Sequence, residues 1–238
     1  MNKPSPSAAR CCVVIPAFNA AATIADVVRS AQTYVDRVIV VDDGSRDDTA
    51  QLAEQAGALV IRQDKNSGKG AALQVGIMRA QTNGFDLVLT MDADGQHPAA
   101  TIPEFLEAHR RTGIPVLLGN RMGDMAHMPF LRRWTNRLMS KLISRAMKQY
   151  VPDTQCGFRL FHREVLSFLN VESHRFAAES EVLLHLADRG FRIDSVRVPV
   201  VYHPDHQSHI RPVRDAVQFI QMWRHYRQRR RAAFTVIS

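Results

Sequence analysis

Long apolar runs are absent from this sequence. No stretch reaches the roughly 18 apolar residues that a membrane-spanning helix needs, and residues 1–10 lack the apolar centre of a signal peptide. We therefore predict no transmembrane helix and a disordered N-terminal segment at residues 1–10. Internal repeats and linkers rich in glycine and serine are also missing, which predicts that residues 11–212 form one domain.

Cysteine is scarce as well. The 238 residues include three cysteines, of which Cys11 and Cys12 are adjacent and Cys156 stands alone. This spacing gives neither a disulfide framework nor a set of metal ligands. We therefore predict that the protein works in a reducing compartment.

Basic residues outnumber acidic ones, so that the formal net charge is +8. Such a charge predicts an anionic partner, and nucleic acid, acidic lipid and nucleotide phosphates all satisfy that prediction. The hydrophobic content of 45% is sufficient for a full core. Composition therefore indicates a globular protein and leaves the class of its anionic ligand open.

The first part of the chain alternates short apolar runs with amphipathic segments. The runs show no polar alternation, as expected of strands buried on both faces of a sheet. Their βαβαβαβ order predicts a parallel sheet with right-handed crossovers, whose ligands bind beyond the carboxyl ends of the strands. The predicted strands are 12–15, 38–41, 58–61 and 87–91, and the predicted helices between them are 23–33, 48–57 and 70–81.

The second part is less regular but completes the same domain. It ends in a tail, residues 213–238, that we predict to be a basic amphipathic helix because apolar residues recur there at helical spacing. The other predicted elements are a strand at 116–119, a cationic helix at about 129–150, an apolar helix at 176–187 and a strand at 196–202.

Two carboxylates follow the fourth predicted strand, at Asp92 and Asp94. Alone, this pattern is more often a solvated loop than a site. Here it comes directly after an apolar strand, where both side chains face the expected ligand crevice. Oxygen ligands of this kind suit Mg²⁺ or Mn²⁺, which often bridge a protein carboxylate to substrate phosphates.

Two further loops follow strands of the predicted sheet. Asp42 and Asp43 either form a simple turn before a helix or accept hydrogen bonds from a ribose or base. Residues 66–70 resemble a phosphate loop but fail the Walker pattern, because Gln63 replaces its first glycine and Gly70 its last Ser or Thr. Such a loop still presents backbone N–H groups and Lys69 to an anion.

Together these motifs resemble those of family 2 glycosyltransferases, and most of all those of the dolichyl-phosphate and polyprenyl-phosphate sugar synthases. The resemblance runs from about residue 13 to residue 211 and implies a GT-A fold, an α/β (Rossmann-like), mostly parallel sheet flanked by helices. The motifs, in chain order, are Pro16-Ala17-Phe18-Asn19, Val41-Asp42-Asp43-Gly44-Ser45, Asn66-Ser67-Gly68-Lys69-Gly70, Asp92-Ala93-Asp94-Gly95-Gln96-His97-Pro98, Gly119-Asn120-Arg121 and Cys156-Gly157-Phe158-Arg159.

The resemblance also implies roles for these residues. The loop from Pro16 through Phe18 to Asn19, with Asp42, is expected to hold the nucleotide. The metal and the diphosphate are expected at Asp92, Asp94 and Gln96. Basic residues near Arg121 and Arg159 are expected to receive the acceptor phosphate, and the late loop with Ser208, His209 and Arg211 to contact phosphates.

The chain departs from the family pattern at two places. Phe18 and Ala20 stand where relatives commonly have Tyr and Glu, so that one contact to the base is missing and the donor is either a UDP- or a GDP-sugar. His209 stands where relatives usually have lysine after the serine. Because an imidazole is mostly neutral above pH 7, the sequence predicts a phosphate contact there that depends on pH.

Glu179 and Glu181 lie on an otherwise apolar predicted helix. They are either exposed charges near the N-terminus of that helix, or one of them faces the crevice and orients the acceptor or the metal. The functional interpretation makes Glu179 a candidate catalytic residue, beside Asp94 and Arg121.

The cationic helix carries basic residues on one face, apolar residues on another, and no acid between positions 131 and 148. It is either packed on the core with a solvated basic face or an interfacial membrane helix. The resemblance favours membrane contact, so we expect a peripheral protein on the cytoplasmic face of a membrane.

The predicted reaction is inverting transfer of a sugar from the nucleotide diphosphate to a lipid phosphate, without a general base. The same fold with a hydroxyl acceptor is the alternative, in which Glu179 or Glu181 acts as the base. A nucleic-acid-binding module leaves the converging strand-end loops unexplained, so no nucleic acid is expected as a partner.

Overall fold

The computed structural model of the protein describes residues 9–123, 130–169 and 176–199, together with positions 221, 223, 224 and 226–228 of the tail. Residues 1–8 of the segment 1–10 that was predicted to be disordered, the predicted domain end at 212, and the late-loop residues Ser208, His209 and Arg211 lie outside these ranges.

A seven-stranded sheet forms the centre of the molecule, in the order β3-β2-β1-β4-β6-β5-β7. All neighbouring strands are parallel except that β6 runs antiparallel to both β4 and β5. The mostly parallel sheet predicted from the sequence is thereby confirmed. The strands are β1 Cys11–Ala17, β2 Arg37–Asp42, β3 Leu59–Arg62, β4 Leu87–Thr90, β5 Val116–Asn120, β6 Arg159–His162 and β7 Ile193–Arg197.

Helices cover both faces of the sheet. One core cluster packs α1, α2 and α4 against side chains such as Val13 and Val40, and the other packs α3, α5, α6 and α7 against side chains such as Val14 and Ile39. The helices are α1 Ile24–Gln32, α2 Thr49–Gln55, α3 Lys69–Thr82, α4 Ile102–Thr112 after a 3₁₀ turn at Ala99–Thr101, α5 Phe130–Met147, α6 Arg163–Leu166 and α7 Phe176–Asp188.

The two cores explain the unbroken apolar runs of the sequence. Side chains alternate between the faces of a strand, so β1 sends Cys11, Val13 and Ile15 into one cluster and Cys12 and Val14 into the other. The three cysteines are free and buried.

Three predictions about elements need correction. The strand at 58–61 was predicted to be buried on both faces, but β3 is only half-buried because it forms the edge of the sheet. The strand predicted at 196–202 begins earlier, at Ile193, and ends at Arg197. The sequence interpretation assigned no element to β6 or to α4, although β6 occupies the middle of the sheet.

The described part of the tail packs against the domain. Tyr226 is buried in the core cluster beside α7, and its hydroxyl group donates a hydrogen bond to Asp188 Oδ1 at 3.1 Å. Within the described ranges, none of the helices combines the length and the apolar character needed to cross a membrane.

Candidate active site

The carboxyl ends of β1, β2 and β4 meet at one edge of the sheet. Ala17, the last residue of β1, pairs in register with Asp42, the last residue of β2. On the other side of β1, Val14 pairs with Thr90, the last residue of β4. The loops that follow the three strands therefore converge, as the sequence predicted.

The first two loops hold each other in place. Asn19 has a positive φ of 50°; its backbone N–H donates to Ser45 Oγ at 2.9 Å, and its side-chain Oδ1 accepts from the Arg46 N–H at 2.9 Å. Asp42 Oδ1 accepts from the Ser45 N–H at 3.0 Å. Pro16 is buried within β1, whereas 46% of Phe18 is exposed at the rim of the site.

Asp43 fixes the loop that precedes α3. Its two carboxylate oxygens accept the backbone N–H groups of Ser67 and Gly68, at 2.7 and 2.8 Å. A Cβ atom on Gly44, whose φ is +72°, would lie 2.7 Å from the Lys65 carbonyl carbon, so the close approach of the two loops requires glycine. Asp43 thus holds the loop that leads into Lys69, and its expected contact with the nucleotide stays a prediction.

Four charged side chains of alternating sign form a row across the site. The Lys69 ammonium lies 2.6 Å from Asp92 Oδ1 and 2.9 Å from Glu179 Oε1, and Arg159 Nη2 lies 2.8 Å from Glu179 Oε2. Glu179 is in the first turn of α7, and only 13% of its side chain is exposed. It therefore faces the strand ends, in agreement with the functional interpretation of this residue.

The charges of the row shift one another's ionisation. Burial opposes ionisation of Asp92, but the Lys69 ammonium outweighs it and holds the pKa of Asp92 at about 2. Burial likewise works against the charged form of Lys69, yet the carboxylates of Asp92 and Glu179 raise its pKa above the usual value. Both groups are charged throughout the physiological range.

A turn after β4 presents the second carboxylate. Asp94 Oδ1 accepts the Gln96 N–H at 3.0 Å, and the Thr23 hydroxyl group donates to the Ala93 carbonyl at 2.6 Å, which ties the turn to the start of α1. A Cβ atom on Gly157 would lie 2.7 Å from Asp92 Oδ2 and 2.9 Å from the Lys69 nitrogen. Glycine at this position leaves room for ligands around Asp92.

These groups fit a divalent metal that is shared with a phosphate ligand. Asp92 and Asp94 supply hard oxygen donors, and the described residues contain no group of three or more His, Cys, Asp or Glu side chains able to hold a metal ion. Mg²⁺ and Mn²⁺ commonly take one or two protein carboxylates and complete their shell with substrate phosphates and water. The site matches that arrangement.

Arg121 and Arg159 lie beside the site with their donors already engaged. Arg121 is buried and contacts Asp153 through Nε at 2.7 Å and Nη2 at 3.0 Å. Besides its ion pair with Glu179, Arg159 donates to the backbone carbonyls of Cys156, Glu179 and Thr154. Both guanidinium groups thus organise the segment 153–157, and their expected contact with an acceptor phosphate stays a prediction.

Two buried residues of the site had no role in the sequence interpretation. No sequence pattern indicated a role for Asp153, because its partner Arg121 lies 32 positions away in the chain. His97 stood within the quoted motif and lies with its Nε2 3.9 Å from the Cys156 sulfur. Burial is the main cause that lowers the pKa of His97 below its usual value.

The mostly parallel sheet, the convergent strand-end loops and the acidic pair after β4 agree with the GT-A fold that the resemblance implied. The chain belongs to glycosyl transferase family 2, whose model matches residues 12–169.

Known relatives and structures agree with this assignment. The chain is 32% identical to the glycosyltransferase AglJ of Haloferax volcanii, covering 93% of this chain and 73% of that protein. It is 30% identical to a dolichyl-phosphate hexose transferase of the same organism, covering 79% and 81%. Glucosyl-3-phosphoglycerate synthase from Mycobacterium tuberculosis, crystallised with Mn²⁺, UDP and glucosyl-3-phosphoglycerate, shares the fold with a TM-score of 0.69 at 24% identity over 92% and 80% of the chains.

Proposed function

We propose that this protein transfers a sugar, with inversion, from a nucleotide diphosphate donor to a polyprenyl-phosphate-type lipid at a membrane surface. The observation that carries the proposal is the acidic pair Asp92 and Asp94 after β4, with the Lys69 ammonium 2.6 Å from Asp92 Oδ1. Such groups suit a metal-bound diphosphate, and relatives such as the dolichyl-phosphate hexose transferase are named for a lipid phosphate acceptor.

The donor lies across the strand ends in this proposal. The exposed ring of Phe18 offers an apolar face for the base, while Asn19 and Asp42 shape the loop around it. The diphosphate extends toward Asp92, Asp94 and Gln96. When bound, Mg²⁺ or Mn²⁺ would neutralise the charge that develops on the leaving diphosphate, and Asp92 and Asp94 would hold it.

The acceptor phosphate attacks the anomeric carbon from the side opposite the leaving diphosphate. An ionised phosphate oxygen needs no base, so the protein contributes positioning and charge stabilisation. Both carboxylate oxygens of Glu179 already face cations, at Lys69 and Arg159. Glu179 Oε2 stays paired with the buried Arg159. A hydroxyl acceptor would need the other oxygen of Glu179, or Glu181, to take its proton, whereas an ionised phosphate needs neither.

The outer face of α5 supports peripheral contact with a membrane, which we place at the cytoplasmic face. A groove of about 580 Å³ between α5 and residues 148–152 is lined by Arg137, Lys141, Arg145 and Lys148. Beside these cations, 56% of Trp134 and 43% of Leu138 are exposed. Cations next to exposed apolar side chains are typical of interfacial helices.

The test is to incubate the protein with Mn²⁺, a short polyprenyl phosphate and a panel of UDP- and GDP-sugars, and to measure the mass of the lipid. We expect a mass increase of one sugar for one of the donors, and a product that mild acid cleaves because the sugar is joined through a phosphodiester. A product resistant to mild acid would indicate a hydroxyl acceptor. Absence of any lipid product across the panel would contradict the proposal.

A further inference from the structure

The Lys69 ammonium occupies the position where a metal would approach Asp92. It lies 2.6 Å from Asp92 Oδ1, whereas a Mg²⁺ ion binds a carboxylate oxygen at about 2.1 Å. Two cations on the same oxygen repel each other strongly in a partly buried site. A divalent ion and the lysine in its present position therefore compete for Asp92.

Lys69 has the longest and most exposed side chain of the three that form this contact. Asp92 has a short side chain in the loop after β4, of which 28% is exposed, and Glu179 is held by the buried Arg159. In contrast, 40% of the Lys69 side chain is exposed, and its long flexible stem allows the ammonium to swing. The missing side chain at Gly157 leaves space on that side of the ammonium.

We propose that Lys69 is an exchangeable counter-cation, which neutralises Asp92 in the empty site and releases it to the metal when a nucleotide diphosphate offers the ammonium a new anionic partner. This inference rests on the proposed function, because it takes the ligand of the site to be a nucleotide diphosphate. Metal binding then depends on the donor. Without nucleotide, the Asp92 carboxylate is paired with Lys69 and binds metal weakly, whereas with nucleotide Lys69 has moved away and Asp92 is open to the metal.

The proposal is tested by titrating Mn²⁺ into the full-length protein and following the free ion by electron paramagnetic resonance, with no nucleotide, with UDP and with GDP. For the wild type we expect weak binding of Mn²⁺ alone and binding tighter by about tenfold or more with one nucleotide. Lys69→Met removes the charge at similar length, and we expect it to bind Mn²⁺ alone about tenfold more tightly than the wild type. Because the nucleotide phosphates still supply metal ligands, we expect nucleotide to tighten Mn²⁺ binding in this variant, but by a smaller factor than in the wild type.

Matched variants identify the site that is measured. Lys65→Met removes an exposed lysine of the same loop and should behave as the wild type. Lys69→Arg keeps the charge and should keep the weak binding of Mn²⁺ alone. Asp94→Asn added to Lys69→Met should abolish the tight site. Circular dichroism checks that each variant is folded, and Lys69→Gln replaces Lys69→Met if the latter is not.

The outcomes separate this inference from the proposed function. If the wild type binds Mn²⁺ with a nucleotide but Lys69→Met binds Mn²⁺ alone no more tightly than the wild type, the counter-cation role is wrong and the donor proposal stands. Tight binding of Mn²⁺ alone by the wild type also overturns it. If neither nucleotide binds with Mn²⁺, the donor proposal fails. The affinities of the wild type and Lys69→Met for Mn²⁺ without nucleotide still decide whether Lys69 competes for Asp92.

Discussion

At the scale of single residues, the acids of the site divide between those that fix loops and those that face the ligand. Asp43 uses both carboxylate oxygens on the backbone of the loop before α3. Asp94 accepts the Gln96 N–H through one oxygen, and no contact among the described residues engages the other. Asp92 is engaged only by the side chain of Lys69 among the described contacts. Asp92 and Asp94 are therefore the acids that we propose to bind the ligand.

Asp94→Asn tests this division. The amide oxygen of asparagine preserves the hydrogen bond to the Gln96 N–H, so the turn remains, but the charge that holds a divalent metal is lost. We expect a folded protein whose sugar transfer is reduced by about 100-fold or more, because the leaving diphosphate loses its counter-charge. Turnover is measured by mass spectrometry of the lipid product at saturating Mn²⁺.

The control for this variant is Asp64→Asn, which removes an exposed acid of the neighbouring loop and should leave turnover unchanged. Transfer by Asp94→Asn at a rate close to that of the wild type, or transfer by the wild type in excess chelator, would show that the acidic pair does not carry a metal.

The sequence predicted which residues lie at the strand ends better than it predicted which residues contact one another. The positions of Asp42, Asp92 and Asp94 after apolar runs were sufficient to place them at the strand ends. The partners of Asp43 were not predictable, because they are backbone N–H groups 24 and 25 positions away, and every residue but proline has such a group. The same holds for Glu179, whose orientation depends on how α7 packs across the sheet.

At the scale of elements, the segment between α5 and β6 is held by one buried ion pair. Arg121 at the end of β5 contacts Asp153 in a bidentate arrangement, and Asp153 also accepts the Gln155 N–H at 3.1 Å. Thr90 at the end of β4 donates to the Gly157 carbonyl at 2.8 Å. These contacts hold segment 153–157 beside the site and place Gly157 next to Asp92.

We expect Arg121→Met to destabilise the protein by about 3–5 kcal/mol, because Asp153 is left as a buried charge without its partner. The free energy of unfolding is measured by urea titration. Changing Asp153 to Leu in the same background removes the orphaned charge and should restore part of the loss. If Arg121→Met is as stable as the wild type but inactive, Arg121 acts on a substrate and not on the fold.

A glycine lets α3 approach the sheet. A Cβ atom on Gly76 would lie 2.3 Å from Val14 Cγ1 and 3.1 Å from Val41 Cγ2. Gly76→Ala should therefore destabilise the protein by about 1–3 kcal/mol through overpacking, although alanine is the better helix former. Met78→Ala, at an exposed position of the same helix, is the control and should be close to neutral. A stabilised Gly76→Ala variant in urea titration would contradict the close contact.

Elements buried on both faces were predictable, and those with mixed surroundings were not. The runs of β1, β2 and β4 stand out because each is apolar along its whole length. β6 has only four residues, of which the first is Arg159 and the last His162, so the sequence shows no apolar run there. α4 buries Ile102 and Phe105, but Pro103 and the charged residues of this segment interrupt its apolar pattern, and no element was assigned to it.

At the scale of the whole molecule, the positive charge is unevenly compensated. On α4, Arg110 pairs with Glu107 through two hydrogen bonds. On α5, at the opposite face of the sheet, Arg137, Lys141 and Arg145 form no ion pair with any residue that the structure describes. The face that carries α5 is therefore the one expected to meet an anionic surface.

We predict that the protein sediments with vesicles containing anionic phospholipid, does not sediment with neutral vesicles, and is released by salt. Each basic residue near an acidic surface contributes about 1 kcal/mol, and the attraction is screened within about 10 Å at 0.1 M salt. The double reversal Lys141→Glu/Arg145→Glu should lower vesicle affinity by about tenfold or more. Arg110→Glu/Arg111→Glu changes the net charge equally on the opposite face of the sheet. If both double variants lose affinity equally, the net charge alone drives binding, and if neither loses affinity, α5 is not the membrane-facing surface.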